Sequence, residues 1–239
     1  MEIFTVEGLA LLARWVHFMA GIVWIGLLYY FNLVQTPFMA QAEPEVRTAV
    51  LRGLVPRALN WFRYASMVTV AAGIIIILIR FEQAGSGLFG ISYGVSILTG
   101  MCLGVLIFIN AQAVLWPQMQ VVVASANAVA AGGELDPQAA PAQRRILLAS
   151  RTNLILSIPL LFFMGTASHL SLFDGSASGA QLWTYWILAT AIMLAVEANA
   201  LWGTTGPATR PLEKIGPSIL WGFVLYGVLY VLLQVVTRG

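Results

Sequence analysis

The chain is 239 residues long, 59% hydrophobic and 9% charged, with a mean hydropathy of +0.85 and a formal net charge of +2. Soluble domains carry about 25% charged residues, so this composition cannot cover a water-facing surface and marks an integral membrane protein. The small net charge and lack of a basic tail exclude a nucleic-acid partner. The lone Cys102 excludes a disulfide framework, a CxxC zinc site and covalent haem attachment through CxxCH.

Spanning the hydrocarbon as helix takes about 20 apolar residues, and six segments qualify. The first, residues 9–33, follows Glu2 and Glu7 rather than a basic n-region, so it reads as a retained helix and not a signal peptide. Residues 36–60 carry Arg47, Arg52 and Arg57 at regular spacing and predict a loop with a short interfacial helix. The second span is 61–79. The third, 93–116, contains Gly100 and Gly104, a GxxxG pattern suited to a close helix crossing. Residues 117–150 predict a long loop, rich in Ala and Gly and turning at Asp136-Pro137, with some amphipathic helix. The remaining spans are 152–173, 182–202 and 218–236. No internal repeat is visible. Continuous apolar runs exclude the alternating strands of a barrel, so the expected fold is all-α: one domain over 1–239, a polytopic bundle of six transmembrane helices.

The loops predict the orientation. Arg14, Arg80 and Arg238 fall on the N-terminal side. Arg47, Arg52, Arg57, Arg63, Arg144, Arg145, Arg151, Arg210 and Lys214 fall on the other. An excess of Lys and Arg marks the cytoplasmic side, which places both termini at the periplasm or exterior of a multi-pass protein of the bacterial inner membrane.

His17 and His169 are the only histidines. Arg14 precedes the first by three residues and Asp174 follows the second by five, so both lie roughly 4.5 to 7.5 Å inside the outer interface. Gly21 shares a helix face with His17, and Gly165 with His169. Imidazole is a common axial ligand of haem iron, and glycine leaves bare backbone beside a macrocycle. His17 and His169 are therefore candidate ligands of one haem b, with Arg14 placed to pair with a propionate. Taken singly, each residue also suits an ordinary role: a packed, hydrogen-bonded histidine, a glycine common in membrane helices, a snorkelling arginine.

A second polar group gathers toward the arginine-rich side: Asn32, Gln35, Asn60, Asn110, Gln112, Arg151, Thr152, Asn153, Glu197 and Asn199. Ionisable groups within a span are costly and usually mark a site or a pair. Glu197 has no neutralising neighbour in sequence. Either it pairs with Arg151 or Arg63, or the amides and acid read a polar heterocycle or a quinone head group.

Three motifs carry a family resemblance. Arg14-Trp15-Val16-His17 with Gly21-Ile22-Val23-Trp24-Ile25-Gly26-Leu27-Leu28-Tyr29-Tyr30-Phe31-Asn32 resembles the membrane domain of bacterial urate hydroxylases, the urate oxidase N-terminal family. Leu54-Val55-Pro56-Arg57-Ala58-Leu59-Asn60-Trp61-Phe62-Arg63 is similar to its second motif. Ser150-Arg151-Thr152-Asn153 through Ser157-Ile158-Pro159, Phe163-Met164 and His169 resembles its third. The three motifs cover about two thirds of the chain in family order. The resemblance implies a membrane protein of urate oxidation, passing electrons to a cytochrome c that family members often carry as a C-terminal domain. This chain stops at Gly239 without that domain, so the expected acceptor is a separate cytochrome c. It also has Thr152 where the family usually has histidine.

The expected function is a haem-binding membrane oxidoreductase. Glu197 is the proton acceptor, Arg151 orients an anionic substrate, and Asn153, Asn110 and Asn32 complete the site. Asn32 lies 15 residues from His17, about 22 Å along a helix, a long way for direct electron transfer. The alternative is an accessory subunit, haem-bearing or structural, of a larger membrane electron-transfer complex. A transporter ranks last, because Pro159 is the one strong breaker deep in a span and no repeat is visible.

Overall fold

The computed structural model describes residues 2–202 and 205–238. Six helices among them are long and apolar enough to cross a membrane: α1 (Val6–Gln41), α2 (Pro44–Ala84), α3 (Ser92–Ala130), α4 (Ala139–His169), α5 (Gly179–Trp202) and α7 (Ile215–Arg238). A short α6 (Arg210–Glu213) precedes the last. The protein is an all-α, multi-pass membrane bundle, as the apolar runs predict.

The spans are longer than expected. The predicted loop at 36–60 is almost entirely helix: α1 continues to Gln41, and α2 begins at Pro44, whose missing N–H is harmless in a first turn. Val55 and Leu59 are buried, while Arg47, Arg52 and Arg57 are exposed. The three arginines, five residues apart, are spread round a helix that is continuous with the span. At 1.5 Å per residue, the 41 residues of α2 rise about 60 Å, twice the hydrocarbon thickness. The predicted loop at 117–150 is likewise mostly helix. Its break is confined to residues 131–138, where Gly132 adopts φ +84° and Asp136 Oδ1 accepts from the Gln138 N–H at 2.8 Å. At the other face, α4 ends at His169 rather than at 173, because residues 170–173 fold back: the Leu172 N–H donates to Ser92 Oγ and the Leu172 carbonyl accepts from Gln234.

Lipid tails are as apolar as the side chains, so helices here associate through close packing and polar bonds. α1 packs mainly on α2, while α4 is the most enclosed span, held by α3, α5 and α7. The GxxxG of α3 serves the α3–α4 crossing. A Cβ on Gly100 would lie 3.0 Å from Met164, and one on Gly104 3.3 Å from Leu160. On α7, Gly222 faces Ile158 of α4, and a Cβ there would also lie 3.1 Å from the Ile155 carbonyl.

Two segments depart from α geometry. Phe31–Gln35 in α1 and Asn110–Leu115 in α3 are π-helical. Each is closed by an N–H reaching five residues back, Thr36 to the Phe31 carbonyl and Trp116 to the Ala111 carbonyl. Each is followed two residues after its end by a proline, Pro37 or Pro117. Proline has no N–H to continue the α ladder, and the wider turn absorbs the lost bond. Such bulges frequently sit at functional sites. Here each carries an asparagine in its first turn, Asn32 and Asn110, both buried.

Candidate functional site

The α3 bulge turns Asn110 into the bundle, against α4 and α5. Its Nδ2 donates to Asn153 Oδ1 at 2.8 Å and to Glu197 Oε2 at 3.0 Å. Asn153 Nδ2 reaches the Ile107 carbonyl at 3.4 Å, a long bond. Asn110 and Asn153 are fully buried and Glu197 is 6% exposed. Three sequence-predicted residues, from three helices, therefore form one connected polar group.

Arg151 is 2% exposed, and its Nε and Nη1 have no hydrogen-bond partner. Asn110 Oδ1 and Thr152 Oγ1 are likewise buried without one. The pairing considered for Glu197 does not form. Arg63 donates to Gln112 Oε1 at 3.1 Å and stacks over Trp116, 4.2 Å from its ring centroid. Arg151 makes no ion pair among the described residues, whereas the surface pair Arg144–Glu213 does, at 3.0 Å. A buried cation without a partner is expensive. This end of α4 thus holds unspent donors and acceptors, guanidinium N–H groups and a hydroxyl, and Asn110 an unspent amide oxygen; Arg151 shares the Ile155–Ile158 face of α4 that packs on α7, and Asn153 the face toward Asn110.

Asn32 does not join this centre directly. Its Nδ2 donates to the Leu28 carbonyl at 2.9 Å and to Ser150 Oγ at 2.8 Å, which ties α1 to the residue before Arg151. One turn farther into the membrane, Ser157 Oγ bonds the Tyr29 hydroxyl at 3.2 Å. Below Asn32 the ends of α1 to α4 enclose a cavity of about 460 Å³. Sequence reasoning missed the cavity, Ser150, and the Gln112–Ser66 bond of 2.9 Å that locks Arg63 in place. The prolines just after the two amide-bearing segments are the signal that pointed there.

Toward the end of the bundle that carries the N-terminus, no hydrogen bond or ion pair joins His17, His169 and Arg14 to one another among the described residues. His17 Nδ1 lies 2.8 Å from the Thr69 carbonyl of α2. A carbonyl only accepts, so Nδ1 carries the proton and, in the neutral ring, Nε2 is bare. Gly73, one turn along α2, makes room for the ring: a Cβ there would lie 3.1 Å from His17 Cε1. Gly21, expected to give a macrocycle a bare face, instead packs on α2, with Thr69 Cγ2 3.8 Å from where its Cβ would be. His169 and Gly165 are exposed, and nothing stands over Gly165. Arg14 is exposed as well.

A haem fits these residues in part. Metal-bound histidine usually donates its other ring N–H to a carbonyl or carboxylate, and His17 has that arrangement. His169 offers an open ring at the end of α4 and Gly165 an open face beside it. Elsewhere, among the described residues, no three His, Cys, Asp or Glu side chains come together to hold a metal ion. Compared with known proteins, the chain matches no family model, no curated protein and no solved structure.

Proposed function

We propose that this protein is a membrane oxidoreductase of the urate hydroxylase type, in a bacterial inner membrane with its arginine-rich face toward the cytoplasm. Its substrate is a small planar anion carrying ring N–H groups. One observation carries the reading: the Arg151 guanidinium is buried with two nitrogens unpartnered, on the same helix as Asn153, whose group with Asn110 and Glu197 holds an unpartnered amide oxygen. Guanidinium binds an oxyanion or carboxylate edge in a fork, and the Asn110 oxygen accepts a ring N–H. Asn110 fixes the Glu197 carboxylate through one bond, leaving it aimed as proton acceptor within the centre. Asn153 holds Asn110 in turn.

His17 is the residue best prepared to hold haem b, with His169 the second candidate and Arg14 beside the first. When bound, the haem supplies a one-electron carrier toward an external cytochrome c. Thr152, buried with its hydroxyl free, occupies the position where the resembling family has histidine. The test is ligand-induced stabilisation. Urate at a hundred times its Kd stabilises the folded state by about 2.7 kcal/mol, so a urate-dependent rise in the melting temperature supports the reading, and none at millimolar urate refutes it.

The accessory-subunit reading is favoured by the exposed His169 and Gly165, which leave the outer end of α4 open to a partner chain. Co-purification in mild detergent separates the two: urate turnover by the isolated protein excludes a purely structural role.

A further inference from the structure

The cavity between the ends of α1 to α4 has a different chemistry from the Arg151 centre. Its floor is apolar and aromatic, with Phe62, Leu59 and Leu115 buried and Phe31 set edge-on to Phe62 at 5.8 Å. Met39 and Met119 add thioethers to the walls, and such sulfur packs well against flat rings. Its exposed rim is Thr36, Ala40, Arg47 and Gln143. The one charged lining residue, Arg47, already donates to the Ala42 carbonyl at 3.2 Å.

Two polar groups in the wall are unspent. Gln35 Oε1 is buried without a partner. Ser150 accepts from Asn32, and its own proton has no acceptor among the described residues. An occupant must therefore offer an O–H or N–H to Gln35 and an oxygen to Ser150. It needs no charge, and it needs a flat apolar body. A phosphate head would find only Arg47, and an acyl chain would leave Gln35 unsatisfied. Twenty residues of helix cross the hydrocarbon, so counting from Arg14 along α1 sets the cavity floor near the inner interface, within reach of a lipid-soluble molecule.

We propose that this cavity binds the ring of a prenylated quinol or quinone, with the ring between Phe31, Phe62 and the two methionines: one oxygen accepts from Ser150, and the other donates to Gln35 Oε1 as the quinol hydroxyl or, as the quinone carbonyl, accepts from Gln35 Nε2 once the amide has turned over. The binding stands independently of the urate reading. Its place beside Arg151 rests on that reading and gives it a use: Ser150 adjoins Arg151 in α4, and Leu147 of the cavity wall lies one turn from Arg151 on the same face. On that reading the two electrons and two protons lost by a substrate at Arg151 would reduce the quinone to quinol, a second exit beside the haem route, whose His17 lies about 22 Å from Asn32 of the cavity wall along α1.

The test uses the full chain in nanodiscs with a photoreactive azidoquinone, and mass spectrometry of the labelled peptides. Labelling within residues 31–40 and 115–122, competed by unlabelled short-chain quinone, is expected. Met39→Trp and Met119→Trp, which fill the half-buried walls, remove it, and Gln35→Leu weakens binding by about tenfold, the loss of one neutral hydrogen bond. Labelling spread over the lipid-facing surfaces of α5 and α7, or displaced equally by phosphatidylcholine vesicles, overturns the proposal. Displacement by urate also overturns it, because the cavity would then be the substrate site. No substrate is present in the labelling, so failure of the urate reading alone leaves its result unchanged.

Discussion

The two faces of this bundle hold the same kind of sequence oddity, ionisable residues in apolar helices, and treat them in opposite ways. At the face that carries the N-terminus His17 is satisfied by one backbone carbonyl, and His169 and Arg14 are exposed. At the arginine-rich face Asn110, Asn153 and Glu197 interlock, and Arg151 is buried with nitrogens to spare. Rarity in the sequence picks out the first set, whereas unspent hydrogen-bonding capacity at full burial picks out the second. The second is the better mark of a binding site, because a buried orphan group is costly unless something pairs with it.

The largest expected effect separates stability from function at Arg151. Arg151→Met removes an uncompensated buried cation, so the unliganded protein holds or gains stability, by up to a few kcal/mol. The same change abolishes the urate-dependent thermal shift, since losing one partner of a buried charged contact costs about 2–5 kcal/mol, on the order of a hundredfold or more in affinity. If Arg151 were only structural, the variant would lose stability instead, and the contrast between the faces would collapse.

Asn110→Leu comes next. It strands Asn153 Oδ1 and removes the donor held by Glu197 Oε2, costing about 1–3 kcal/mol for each buried group left unpaired. Equilibrium unfolding in mixed micelles measures this, and a neutral result would break the account of the interlocked group.

His17 and His169 provide a smaller, sharper asymmetry. His17→Ala forfeits the bond to the Thr69 carbonyl, about 1 kcal/mol. His169→Ala, at an exposed position, stays within about 0.5 kcal/mol. Absorbance spectra of protein produced with haem supplied extend the comparison: Soret and α bands lost in His17→Ala support axial ligation there, and bands unchanged in that variant remove His17 from any haem site. The smallest effect belongs to the surface pair, where Glu213→Ala shifts stability by less than about 1 kcal/mol.

The six spans were legible because 20-residue apolar runs have few other uses, and the polar cluster was legible because Glu197 and Asn110 are out of place in lipid. Three things were not. Charges within 36–60 suggested a span's end, but the helix carries them without breaking, with Arg52 and Arg57 exposed and Val55 and Leu59 buried in the same stretch. Depth along the helix placed His17 and His169 alike, yet depth says nothing of azimuth: Gly73 on α2 receives the first, while α3 and α7 occupy the other sides of α4 and leave the second exposed. The cavity depends on four helix ends meeting and on two π segments, for which Pro37 and Pro117 were the available clue.

The central claim, that the buried and unpartnered Arg151 guanidinium anchors the proposed substrate, is tested most directly by thermal unfolding of wild type and Arg151→Met in nanodiscs, with and without millimolar urate. The account predicts a urate-dependent rise in wild type and none in the variant, whose unliganded melting temperature is equal or higher. A rise of equal size in both, or none in wild type with a less stable variant, would contradict it.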